Sequence, residues 1–132
     1  MAGFGQTLRD ETAIYQDSAA IPKNTTANGS SVVTGDNGQS GKIAARCEIT
    51  VTGTLADTKV LTLVLQTSAD NSTWVTLDTF TVTASGAKTW VVGELVHEFL
   101  LPRNVLDYTR VTVATDDAAA SGRIDVFGNM VP

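Results

Sequence analysis

An all-β fold, an eight-stranded jelly-roll-like β-sandwich with an extended N-terminal arm, is what this sequence predicts. Three observations predict it. Residues 58–82, TKVLTLVLQTSADNSTWVTLDTFTV, hold two dense β runs around a polar turn. Leu61, Leu63 and Leu65 share one face of the first run, and Val60, Thr62 and Val64 the other. A side-chain period of two over that length is a strand, and a short polar turn between two strands is a hairpin. Similar runs recur at short spacing from residue 31 onward, between turns rich in Gly, Asn, Asp and Ser, which is the spacing of a sandwich. Helix signals are nearly absent over the same span.

The chain divides at about residue 30. Residues 1–30 make an arm and link, in which Phe4, Leu8, Ile14, Tyr15 and Ile21 are apolar but hold no strand period. Asp10 suits the cap of one short helical turn over Asp10–Tyr15. Residues 31–132 make the sandwich domain, with strands expected at 31–34, 42–52, 59–67, 73–83, 87–92, 95–101, 107–115 and 121–128. The run that begins at Trp74 alternates less cleanly than the one before it. Pro102 ends a strand where no ladder hydrogen bond is needed. Eight strands in two sheets suggest a jelly roll, and seven would suggest an immunoglobulin-like sandwich, whose paired cysteines are missing here. The expected core is Ile49, Val51, Leu61, Leu63, Leu65, Val75, Leu77, Phe80, Val82, Val111, Val113, Ile124 and Val126. Each buried large side chain contributes roughly 1.5–3 kcal/mol, and 132 residues suit one domain with a core of this kind.

Composition narrows the function. Net charge is −5, with nine Lys and Arg scattered along the chain; binding to nucleic-acid phosphates needs them clustered. No apolar run approaches the ~18 residues of a membrane helix. The N-terminus lacks a basic region followed by an apolar core, so synthesis and folding in a cytoplasm are expected. The one cysteine, Cys47, cannot form an intrachain disulfide, and it alternates with Ala45 and Ile49 on one face, so it reads as a small core residue.

Chemistry is hard to place on this chain. Its one histidine, His97, has no Cys or second His at metal-ligand spacing and no GxSxG nucleophile motif to serve. The carboxylates fall mostly in turns, where Asp has structural reasons to be. Asp116-Asp117 offers oxygens to a calcium ion but lacks the repeated-Asp loop that such a site uses. No phosphate loop is present. An enzyme is therefore not expected, and no cofactor or metal. Trp74 and Trp90, each near a turn, are either sugar-stacking platforms or, more plainly, residues that close the sandwich.

Two short motifs resemble those of a known family. They are Gln66-Thr67-Ser68, Asp70, Trp74 and Leu77 on the hairpin, then Leu101-Pro102 and Tyr108-Thr109-Arg110-Val111, followed by a closing strand SGRIDVFG. Together with LRDETAIYQDSAAI and SSVV near the start, they resemble the jelly-roll capsid cement (decoration) proteins of tailed phages, the Bordetella-phage-type family. The chain departs from that pattern in its Gly-rich start and its long polar link before residue 42. The resemblance implies a virion protein on the capsid exterior that bridges neighbouring major capsid proteins and forms a homo-oligomer, dimer or trimer, with neither nucleic acid nor membrane as partner. Phe4, Leu8, Ile14 and Tyr15 are the expected arm anchors, because apolar residues without a strand partner need another surface. The same motifs also resemble carbohydrate-binding jelly-roll modules, and a tail or fibre accessory is a third reading.

Overall fold

A computed structural model describes residues 9–33, 43–101 and 105–130 of the chain. The regular elements there are all strands: β1 (Arg9–Ala20), β2 (Thr26–Ala27), β3 (Val32–Val33), β4 (Ile43–Val51), β5 (Gly53–Leu55), β6 (Val60–Ser68), β7 (Val75–Thr83), β8 (Lys88–Trp90), β9 (Leu95–Leu100), β10 (Tyr108–Thr115) and β11 (Arg123–Met130). Every pairing is antiparallel. A four-stranded sheet runs β1-β11-β4-β9. A five-stranded sheet runs β2-β10-β6-β7, with β3 also on β10, and β5 and β8 form a small third sheet.

The two larger sheets share one core, in a β-sandwich-like arrangement. Alternation along each strand sends every second side chain inward. Leu61, Leu63 and Leu65 of β6 and Val111 and Val113 of β10 meet Ala45, Cys47 and Ile49 of β4 and Ile124 and Val126 of β11, all buried. The Phe80 ring of β7 stacks on His97 of β9, with centroids 4.1 Å apart, and joins the two sheets along one side. The hydroxyls of Tyr15 and Thr109 join them along the other.

All eight expected strand positions carry strands, but the one at 88–90 lies outside the two large sheets. Three strands went unexpected: β1, β2 and β5. Residues 9–20, expected inside an arm with a helical turn, are instead an edge strand of the four-stranded sheet, paired with β11. Tyr15 and Ile21 pack in the core of their own domain. The sequence hides this strand because its register slips three times between Arg9 and Ala19, so no unbroken period of two survives. The polar Gln16 is buried too; its amide donates to the carbonyls of Ala27 and Val111.

Five residues expected in the core are exposed or only partly buried. Val51 and Val75 are exposed, at 45% and 55%. Val51 sits where the β4–β11 register shifts, and Val75 begins an edge strand. Leu77, Phe80 and Val82 are only partly buried, because β7 has a neighbour on one side alone and a bulge opposite Leu65 and Gln66. Trp90, Phe99, Leu55 and Leu101 complete the core.

Two turns show why particular residues stand where they do. Gly122 adopts φ +106°, and a Cβ there would lie 2.6 Å from the Gly53 Cα, so the backbones meet where no side chain fits. Asp117, almost fully buried, accepts hydrogen bonds from the backbone N–H groups of Ala56 and Ala119, each at 2.8 Å. Those N–H bonds hold its carboxyl below the usual carboxylate range.

Candidate interaction surface

The hairpin motif and the β10 motif converge on the outer face of the five-stranded sheet. The register pairs Arg110 of β10 with Gln66 of β6, and the Arg110 Nε–H donates to the Gln66 Oε1 at 2.7 Å. The Arg110 guanidinium lies 4.3 Å above the centre of the Trp74 ring, a cation–π contact. Tyr108, two residues before Arg110, falls on the same face by strand alternation. Beneath this group the turn is tightly bonded. The Thr67 hydroxyl donates to the Tyr108 carbonyl and accepts from the Leu106 N–H, each at 2.8 Å. Asp70 accepts from the N–H groups of Ser72 and Thr73 and from the Ser68 hydroxyl, and these bonds lower its carboxyl pKa.

Extending the register sideways gives the rest of the face. One row reads Thr26, Ala114, Thr62, Thr81; the next Thr112, Val64, Thr79; the third Arg110, Gln66, Thr76. Arg110 is the single charged residue in these rows. Opposite, the outer face of the four-stranded sheet carries an ion group: Arg46 bonds Glu48 and lies 3.3 Å from Glu98. A further exposed group is apolar: Val51, Val91, Val92 and Leu95, where the β8–β9 turn bonds back to Ile49 near the end of β4.

The residues singled out for chemistry take structural places. Cys47 is buried, and burial pushes its thiol well above the ordinary range. His97 lies between Phe80 and Phe99, and desolvation lowers its pKa against the opposing charges of Asp78 and Glu98. Asp116 accepts from the Val60 N–H at 2.8 Å, so both members of the Asp116-Asp117 pair bind backbone. Among the described residues no group of three or more His, Cys, Asp or Glu is placed to hold a metal, and no helix is long and apolar enough to cross a membrane. Trp90 is 1% exposed and offers no face to a sugar. Trp74 is half-buried, with one ring face under Arg110.

Of the expected arm anchors, Tyr15 is spoken for by its own core, at 1% exposure. Ile14 is half-buried on β1 opposite Phe127. Phe4 and Leu8 lie outside the described residues. Arg110 and Gln66 were visible as motif residues; their contact was not, since it depends on the β6–β10 register between positions 44 apart.

Compared with protein-family models, with curated proteins and with solved structures, the chain matches none.

Proposed function

We propose that this chain is a jelly-roll capsid cement protein of a tailed phage, which binds the outside of the mature head and bridges neighbouring major capsid proteins as a homo-oligomer. Nested pairing supports the jelly roll: β1 with β11, β2 with β10, β4 with β9, and β6 with β7. A long hairpin rolled into two sheets produces that nesting, as in the double Greek key. On this reading β1 is the first of the eight strands, and the sequence beyond it toward the N-terminus, with Phe4 and Leu8, is what remains to reach a neighbour.

The observation that carries the functional reading is the contact between the two family-like motifs. Gln66, Trp74 and Arg110 form one unit, as expected if the motifs are a shared structural signature and not two chance matches. A cement protein needs a stiff body and a partner-facing surface. By binding only the assembled, expanded shell it stabilises that state by mass action, and symmetric copies add avidity.

Co-sedimentation of the purified protein with empty expanded capsids that lack it tests the proposal. Saturable binding at a fixed ratio to capsid subunits is expected. Failure to bind heads would reject it, and binding to tails instead would assign the accessory role. Deletion of residues 2–8, which leaves β1 whole, should weaken binding without changing the melting temperature; unchanged binding would remove Phe4 and Leu8 as anchors.

A further inference from the structure

We infer that the outer face of the five-stranded sheet is a protein-docking surface at which Arg110 receives an Asp or Glu carboxylate from the partner. The partner's identity as a capsid protein rests on the cement proposal; the recognition chemistry rests on the face itself.

Arg110 is prepared for such a group. Its Nε–H is held by Gln66 at 2.7 Å and its guanidinium carbon lies 4.3 Å from the centre of the Trp74 ring, which leaves both terminal nitrogens, unbonded to the described residues, to present a fork. A guanidinium fork matches a carboxylate through two parallel hydrogen bonds. Holding the side chain in place before binding removes part of the ordering cost. Trp74, Tyr108 and Arg110 are also the residue types that dominate binding energy at protein interfaces, and they lie together.

Charge points to the same occupant. The chain carries 14 Asp and Glu against nine Lys and Arg, yet the three rows of this face contain no carboxylate. Asp70 and Asp116, at its two ends, accept from backbone N–H groups. Within these rows an incoming carboxylate meets one cation, Arg110, beside the exposed Thr76, Thr79 and Thr81, while Thr112 is buried. A nucleic acid would need several cations in line, and among the described residues these three rows hold one. On the opposite sheet Arg46 already has Glu48 and Glu98.

Two measurements test this. In the first, ¹⁵N-labelled protein is titrated with a short oligoglutamate peptide and, separately, with oligoglutamine. The Arg110 Nε–H and Trp74 indole N–H signals should shift saturably with oligoglutamate alone, while the indole of the buried Trp90 stays still. Arg110→Gln should abolish the Trp74 shift. Absence of a selective shift, or a shift that survives Arg110→Gln, overturns the inference. In the second, capsid co-sedimentation compares Arg110→Glu with Arg123→Glu on the other sheet, both checked for unchanged melting. Arg110→Glu should bind at least about tenfold more weakly and Arg123→Glu like the unsubstituted chain. If the unsubstituted chain binds and Arg110→Glu binds equally well, the docking face is wrong and the cement proposal stands. If the unsubstituted chain does not bind capsids while the peptide titration succeeds, the cement proposal fails and the carboxylate-binding face remains.

Discussion

The hydroxyls of Tyr15 and Thr109 lie 2.8 Å apart inside the core, joining the first strand of one sheet to the second sheet across 94 positions of sequence. Thr109 is fully buried, so its hydroxyl has no recourse to bulk water. Tyr15→Phe keeps the ring and removes one partner. A buried polar group left unsatisfied costs about 1–3 kcal/mol, and urea unfolding should show a loss of that size with an unchanged slope. A loss below about 0.5 kcal/mol, the range of ordinary surface changes, would mean that water replaces the bond.

Gly122→Ala tests the close approach of two backbones. The position needs positive φ, and the added Cβ meets Gly53 Cα at 2.6 Å and the Val51 carbonyl oxygen at 2.9 Å. Strained backbone of this kind costs about 1–3 kcal/mol, with the contact added to it. Gly86→Ala, at φ +72° with open space around it, should cost less. Equal melting temperatures for the two variants would contradict the packing account.

His97 makes stability depend on pH. Its pKa is lowered in the folded chain, so near pH 6.5, its ordinary value, the unfolded state binds more protons than the folded one. Stability should therefore fall as pH drops through 6.5 toward the lower folded value, and this contribution levels off below it. His97→Phe removes the titration and keeps an aromatic beside Phe80. Between about pH 7.5 and about pH 5.5 the unsubstituted chain should lose more melting temperature than the variant. Parallel curves would show that the imidazole takes up its proton without cost.

Asp117 acts on the acid side. Its lowered carboxyl pKa stabilises the fold above the ordinary value of 3.8, and that stability disappears as pH falls through the folded value. Asp117→Asn sets an amide where two backbone N–H groups require acceptors. Melting temperature at neutral pH should drop, and the gap between the two proteins should narrow in acid. A gap that is constant with pH would assign the effect to packing alone.

Where alternation is unbroken, the strands can be read directly: Leu61, Leu63 and Leu65 on β6, and Ala45, Cys47 and Ile49 on β4, are buried as their period requires. Where a bulge intervenes, the reading fails. Val51 turns outward at a register shift, and β1 looks like an arm because three shifts scramble its pattern. Trp90 and Trp74 look alike in sequence, each beside a turn, yet one is buried and the other half-open. Local chemistry does not distinguish them, because the difference lies in what the rest of the chain stacks over each ring.

By itself the sequence determined that this is an all-β chain, where most strands run, and that Leu61, Leu63 and Leu65 of β6, Val111 and Val113 of β10, and Ile124 and Val126 of β11 turn inward. Side-chain alternation is a property of the extended backbone and needs no partner to be seen. The tertiary structure alone decided that residues 9–20 complete a sheet, that Tyr15 belongs to the core, and that Arg110 rests on Trp74 beside Gln66. Each of those depends on which strand lies next to which and in what register, and that is settled by contacts between positions 44 to 107 apart. Such contacts form only when both sheets have found a common core to bury.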